Sequence, residues 1–411
     1  MWRRSLALRS AVARTGRGRG SAAYTRTAAV AAPSPAAAAE REHVAPARVD
    51  LGLRIRLLDP EVEPIRAGEW DTIADVRSPA EFAEDHVAGA TSTPVLDDAQ
   101  RAEVGTLYKQ DAFAAKKLGA ALVAANLASI IEDTFGDKPK DHRVLVYCWR
   151  GGERSLSLAH TLSRIGFSVG TVRGGYKAYR RQVKHALDEA AKLDVHLITG
   201  PTGVAKGKLL DRLRAAGGQV LDLEKLADHR GSVLGEEPAS GFVQPSQKMF
   251  ESRLCAELAA LDPERPVFVE GESNHIGRLQ IPQALWERMK AAKQTQLLAP
   301  MTERVRYLRE QYVHFETTHV DMLCERLTVL KALRGAAAVE RWTALARGGE
   351  WDAFVEDLLK NHYDTAYARA AARDRGGTEL SGEVEVTQIC DEEFDTHARG
   401  LLSSYDPAFA K

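Results

Sequence analysis

Cysteine is scarce in this chain: Cys148, Cys255, Cys324 and Cys390 are the four in 411 residues. They are far apart and form no Cys-x-x-Cys pair, so neither a zinc knuckle nor a disulfide framework is indicated, and a reducing compartment fits. No metal-ligating set stands out, and no tightly bound cofactor is expected. Excess charge is also lacking, with 56 Lys+Arg against 57 Asp+Glu and a formal net charge of −1. That removes any global basic signal for nucleic acid, so an RNA site must come from local patches. No run approaches the roughly 18 apolar residues needed to cross a membrane, and no membrane partner is expected. Acidic residues are missing before Glu40, while Arg3, Arg4, Arg9, Arg14, Arg17, Arg19 and Arg26 stand among alanines and serines. Leu6 to Val12 is too short for the core of a secretory signal. The composition is that of an organelle transit peptide, with mitochondrion favoured over plastid because the arginines begin at once. An Ala/Pro-rich linker follows, so residues 1–46 are set aside from the fold. What remains is long enough for two domains.

What is present is organised around Val144-Leu145-Val146-Tyr147-Cys148-Trp149-Arg150-Gly151-Gly152-Glu153-Arg154-Ser155. A short apolar run ends in a cysteine, a loop with two glycines follows, and an apolar-patterned segment resumes at Leu156. The pattern predicts strand, tight loop and helix. Successive N–H groups of such a loop turn inward at a helix N-terminus and attract an anion. The same field favours thiolate over thiol, and the thiolate is the nucleophile. Cys148 is therefore the candidate covalent catalyst, with Arg150 and Arg154 adding positive charge. Trp149, Gly151, Gly152, Glu153 and Ser155 make up the anion-binding loop. Rhodanese-like sulfurtransferases and cysteine-dependent phosphatases both use nearly this Cys-x5-Arg-Ser loop, and the loop alone does not separate them.

Short strands alternating with helices predict a parallel α/β sheet, whose ligands sit at the carboxyl ends of strands. Asp75, after the strand beginning at Trp70, falls at such an end and joins the candidate catalytic residues. Ser78, Pro79 and Glu81 read as cap, first helical position and capping-box partner of a helix. Asp111 to Glu132 is a long helical pattern. A second α/β unit begins at Asp194. Val195 to Thr199 predicts a strand that runs into Gly200-Pro201-Thr202-Gly203-Val204-Ala205-Lys206-Gly207-Lys208, a phosphate-binding loop of P-loop type. Gly200, Thr202, Gly203, Lys206, Gly207 and Lys208 are its candidate phosphate or diphosphate contacts. Ala205 stands where a second glycine belongs, and Gly207 replaces the hydroxyl that would hold magnesium. Glu270 ends a later strand and is placed like a Walker B carboxylate. The pattern from Met301 to Arg373 is mostly helical, and Arg304 and Arg309 there could meet phosphates or lie on a solvated face. Residues 376–411 read as a polar tail.

Several stretches in one order resemble the tRNA 2-selenouridine synthase family. These are Asp75 to Phe82 with His86 to Ala90, Glu103 to Gln110, Cys148 to Gly152 and Gly174 to Ala178. In the second half they are Leu221 to Glu224 with His229 to Ser232, Gln244 to Gln247, Val269-Glu270 with Glu272-Ser273, and Ile276 to Arg278. The likeness runs from about residue 52 to residue 373. It implies an α/β fold, with a rhodanese-like parallel-sheet domain over 52–190. A P-loop NTPase-like α/β domain with a helical C-terminal part would follow over 194–375. It implies a transferase that acts on the wobble uridine in the tRNA anticodon region and replaces the sulfur of 2-thiouridine with selenium. Selenophosphate and geranyl diphosphate would be co-substrates, through an S-geranyl intermediate. Cys148 would be nucleophile or selenium carrier, with Arg154 and the loop N–H groups on the anion. Arg230, Gln247, Arg278, Arg304 and Arg309 would contact tRNA or substrate. The altered P-loop departs from the family pattern and leaves two alternatives. One is a plain sulfurtransferase with a degenerate nucleotide-binding domain. The other is a phosphatase, against which Tyr147 stands where such enzymes usually carry histidine.

Overall fold

Val144 to Tyr147 is apolar throughout and Val195 to Thr199 is mostly so, as suits strands buried on both faces. In the computed structural model each lies inside a five-stranded, all-parallel sheet. The structure describes residues 55–409, except 61–62, 66–67, 233, 237, 272 and 375–379. The transit peptide and linker expected over 1–46 lie outside the described residues.

The first sheet comprises β1 (Ile55–Leu58), β2 (Thr72–Asp75), β3 (Ala90–Ser92), β4 (Arg143–Tyr147) and β5 (Ser168–Val172), in the order β1-β5-β4-β2-β3. Its helices are α1 (Pro79–Glu84), α2 (Asp98–Gln110), α3 (Ala112–Ile130), α4 (Glu153–Ile165) and α5 (Gly175–Glu189). Glu81 Oε2 accepts from the Ser78 N–H at 3.1 Å, as the capping signature predicts. Asp111 caps α3, accepting from the N–H groups of Phe113 and Ala114 at 2.9 Å each.

The second sheet holds β6 (Val195–Thr199), β7 (Gln219–Leu221), β8 (Val267–Glu270), β11 (Lys293–Leu298) and β12 (Leu380–Glu385), in the order β12-β11-β6-β8-β7. A small hairpin, β9 (His275–Ile276) and β10 (Leu279–Gln280), stands apart. The associated helices include α6 (Lys206–Ala215), α7 (Leu223–Leu226), α8 (Gln247–Ala259), α9 (Gln283–Lys290) and α10 (Met301–Gln311). The P-loop strand β6 therefore sits directly beside β8, which ends in Glu270.

Two expectations are corrected. The segment from 376 is no tail. Its described part adds β12 to the sheet edge, and the helix Asp391–Tyr405 buries Phe394, Ala398, Leu401 and Leu402. Those four stand at i, i+4, i+7 and i+8, an amphipathic pattern masked by the polar residues among them. Second, one helix among the described residues, Ala112–Phe135, is long and apolar enough by length and composition to cross a membrane. Alanine explains the miss: Lys116, Lys117 and Asn126 break the run to the eye, yet the alanine-rich average stays apolar.

The two sheets share one hydrophobic cluster. It runs from Leu58, Trp70 and Leu145 through Tyr176, Tyr179 and Val183 of α5, then Phe250 and Leu254 of α8, to Val195, Leu197 and Val267. Arg180 bridges the two halves, donating to Asp85 Oδ2 at 3.3 Å, to Ser252 Oγ at 3.0 Å and to Glu251. All described residues after Gly52 belong to one compact unit.

Candidate active site

Cys148 follows the central strand β4, and its loop ends at Gly152, the residue before α4. The loop closes because glycines stand where side chains would collide. Gly151 has φ +67°, and a Cβ there would press on Val172 O and the N atoms of Gly174 and Gly175. A Cβ on Gly175 would fall within 3.0 Å of Cys148 O, Gly151 N and Arg150 N. The start of α5 thus seals the back of the loop. The Tyr176 N–H donates to Cys148 O at 2.8 Å, and the Lys177 N–H donates to Trp149 O at 3.2 Å.

The Cys148 residue is only 3% exposed. The Gly152 N–H donates to its Sγ at 3.3 Å, and the buried Ser155 Oγ lies 3.3 Å from the same sulfur. Burial pushes the thiol pKa up, but the hydrogen bonds from Ser155 and from the Gly152 and Arg150 backbone outweigh it and hold the pKa below the ordinary value. Cys255 shows the alternative: buried without such donors, its thiol is pushed up to about 11. The contrast singles out Cys148 as a nucleophile.

The structure separates the other sequence candidates into those at the loop and those that support it. Trp149 is half-buried and stacks on Tyr176 with centroids 5.2 Å apart. Arg150 and Glu153 are exposed at the loop rim. Arg154 is half-buried and donates to Glu81 Oε2 at 2.8 Å, tying α4 to α1. Burial pushes the Glu81 carboxyl up, but Arg154 prevails and leaves it below the usual range. Asp75 is corrected outright. It is fully buried and accepts from Arg77 Nη2 at 2.6 Å and from the Tyr147 hydroxyl at 2.7 Å, so no substrate reaches it. The end of a strand marked it as a ligand site, yet Arg77 and Tyr147 occupy its carboxylate. Sequence reasoning missed Arg77, whose guanidinium lies 3.9 Å from the Tyr176 ring centroid and donates to Asp85 O. Its position two residues after Asp75 was the available signal.

The second candidate site opens around the P-loop as a cavity of about 910 Å³. Thr202, Gly203, Lys206, Gly207, Lys208, Arg230 and Glu270 all line it. Gly200 and Gly203 have φ +148° and +87°. Ala205 adopts φ +63°, a left-handed conformation that costs an L residue about 1–2 kcal/mol. Lys206 Nζ lies 3.6 Å from Glu270 Oε1 and 3.4 Å from Gly200 O. A Cβ at Gly207 would meet nothing within 4 Å, so the space for a hydroxyl side chain exists but no oxygen fills it. The residues present do not fit a P-loop magnesium ion. Lys208 pairs with Asp391 of the C-terminal helix.

Four of the expected tRNA contacts have partners within the protein, and of these Arg304 is corrected, because it is buried. Arg304 is 5% exposed, pairs with Asp364 at 2.6 Å and donates to Thr202 O at 2.8 Å, which buttresses the P-loop from behind. Arg309 pairs with Glu316 at 3.0 Å and Asp352 at 2.9 Å. The Arg278 guanidinium donates to Gln244 O and Pro245 O. Gln247 pins the β9–β10 hairpin through both backbone groups of Gln280, at 2.9 Å each. Arg230 stays at the cavity, its guanidinium 4.8 Å from the Tyr312 ring centroid. Tyr307, Tyr312 and His229 also line the cavity and escaped the sequence reading, although His229 lay in a quoted motif.

Comparison with known proteins agrees with this architecture. Residues 62–182 match the Rhodanese-like domain family, and residues 193–337 match the family described as tRNA 2-selenouridine synthase AAA domain. The tRNA 2-selenouridine synthase of Nitrosomonas europaea is 36% identical over 249 residues, covering 59% of this chain and 63% of that protein. That of Aeromonas salmonicida is 37% identical, covering 59% and 65%. That of Cupriavidus pinatubonensis is 32% identical over 325 residues, covering 72% and 87%. The chain thus spans a little under two thirds of the first two relatives.

Proposed function

The chain belongs to the tRNA 2-selenouridine synthase family, and from that premise we propose that it replaces the sulfur of a wobble 2-thiouridine with selenium. One observation carries the reading: a buried thiol whose pKa is held below its ordinary value by hydrogen bonds from its own loop, on a rhodanese-like sheet. Cys148 is the nucleophile. The loop N–H groups hold the anion that reaches Cys148. Asp75, Arg77, Tyr147 and Tyr176 position the loop.

Selenophosphate and geranyl diphosphate are the co-substrates in this reading. S-geranylation makes the sulfur a better leaving group. The thiocarbonyl sulfur takes the geranyl group with release of diphosphate; the selenium of selenophosphate then bonds to C2, the C2–S bond breaks with the sulfur leaving as geranyl thiol, and water cleaves the Se–P bond to release phosphate. The P-loop cavity suits a diphosphate, with Lys206 and the α6 N-terminus as its anion contacts. That cavity shares Thr202, Ser232, Leu308, Tyr312 and Tyr363 with an apolar recess lined by Phe315, Leu323, Trp351 and Phe354. The recess holds about 60 Å³ and must widen to admit a geranyl chain. The arginine-rich, acid-free composition of residues 1–39 supports action in an organelle, the mitochondrion before the plastid.

The deciding experiment is mass spectrometry of tRNA nucleosides after the purified chain meets 2-thiouridine tRNA, geranyl diphosphate and selenophosphate. A selenium-containing nucleoside that requires Cys148 is expected. The same product from Cys148→Ser, or none from the parent, would overturn the assignment. Ala205 and Gly207 favour a second reading, sulfur transfer with a P-loop domain that only binds. It predicts thiosulfate-dependent turnover at Cys148 without geranyl chemistry.

A further inference from the structure

We propose that the exposed face of α5 is a docking strip for the phosphates of the RNA whose base is delivered to Cys148. The inference rests on the functional reading above and adds a surface to it.

The helix is divided lengthwise. Tyr176, Tyr179, Val183 and Leu187 are buried, and the opposite face exposes Lys177, Arg181 and Lys184, at i, i+4 and i+7. These three therefore form one stripe along the helix. The stripe starts at the active loop. The Lys177 N–H bonds to Trp149 O, and a Cβ on Gly174 would lie 3.7 Å from Arg181 Nη2. Arg150 and Arg173, both exposed, flank its upper end. Asp59 lies 3.6 Å from Arg173, Glu153 is exposed on the loop rim, and Glu81 is engaged by Arg154.

The charge order along α5 runs against helix stability. Cations are unfavourable in the first turns of a helix and favourable in the last. Here Lys177 lies in the first turn, and the acids Asp188 and Glu189 lie in the last. A solvated helix face has no reason to take the unfavourable order. A polyanion beside the loop supplies one, because each cation gains by releasing a counterion from a phosphate. An RNA backbone fits better than an acidic protein surface, since the flanking phosphates necessarily accompany the base to Cys148.

The test is fluorescence anisotropy with a labelled tRNA transcript, repeated over a salt series. The combined Lys177→Gln, Arg181→Gln, Lys184→Gln variant should weaken binding at least tenfold. Its slope of log Kd against log salt should fall by about 2, from three lost phosphate contacts at about 0.7 each. Lys331→Gln with Lys360→Gln, exposed cations far from the loop in sequence, should change neither. Circular dichroism melting reports the fold. Should the triple variant misfold, single Lys177→Gln and Lys184→Gln variants should each lower the slope by about 0.7. An unchanged slope in the folded variants overturns the strip, as does an equal loss in the control pair. A variant that loses an acidic protein ligand but keeps RNA binding assigns the strip to the other polyanion and overturns it too. A parent chain that binds no RNA overturns the functional reading, and the strip with it.

Discussion

Replacing Ser155 with alanine isolates one contributor to the Cys148 thiolate. A hydrogen bond to a charged acceptor contributes about 1.5–3 kcal/mol, and one pKa unit is about 1.4 kcal/mol. The Ser155 hydroxyl divides its proton between Sγ at 3.3 Å and Gly152 O at 2.9 Å, which points to the low end, a rise of about one unit. The fold should lose little, because Gly152 O still accepts from the N–H groups of Ser155 and Leu156, both at 3.1 Å. The assay is the rate of exchange with a small disulfide as a function of pH. Well below both pKa values the thiolate fraction falls about tenfold, but a thiol of higher pKa is about threefold more nucleophilic, so the net loss is about three- to fourfold. Above both pKa values the variant should be about threefold faster, and the two profiles must cross. Stability gives the sign independently. The folded pKa of Cys148 is depressed, so its contribution is fully present above the unfolded-cysteine value of about 8.5 and is lost as pH falls through the folded value. The stability gap between parent and variant should shrink along the same path. Superimposable profiles, or a uniform loss at every pH, would refute the role of Ser155.

Asp75→Asn leaves the Arg77 guanidinium buried beside a neutral group and should destabilise the fold by roughly 3–5 kcal/mol in urea denaturation; a change under 1 kcal/mol would mean that water reaches the pair. Arg154→Ala removes a half-buried pair that joins α4 to α1 and should cost about 1–2 kcal/mol, measured by thermal melting. Ala205→Gly with Gly207→Thr relieves the left-handed alanine and restores the hydroxyl. Calorimetric titration of geranyl diphosphate with magnesium should then show binding tighter by about 1–2 kcal/mol, whereas equal affinity would make the loop a structural turn.

The sequence made local chemistry legible where one stretch contains both the group and its setting. The Cys148 loop and the Ser78 cap needed only neighbouring residues, and both sites lie on the strands expected. Long-range pairing stayed hidden. Nothing near Asp75 announced that Tyr147, 72 residues on, would donate to it. Arg304 and Arg309 looked like phosphate ligands because their carboxylate partners, Asp364 and Asp352, lie 60 and 43 residues away. An arginine on a helix is equally legible as ligand or as buttress, and only burial decides. Lys206 was recognisable from its loop, but its proximity to Glu270 depended on β6 and β8 becoming neighbours.

The continuous cluster through α5 and α8 bears on inheritance. A P-loop that loses its magnesium ligand would ordinarily free its domain to be discarded. Here Phe250, Leu254 and Val267 complete the apolar surface that Tyr176, Tyr179 and Val183 need. Deleting the second half would expose the underside of the helix that seals the Cys148 loop. The P-loop can therefore lose its magnesium ligand while the polypeptide around it is retained. Its obligation is mechanical as well as chemical, and a gene truncated after residue 190 should yield an aggregating product rather than a smaller sulfurtransferase.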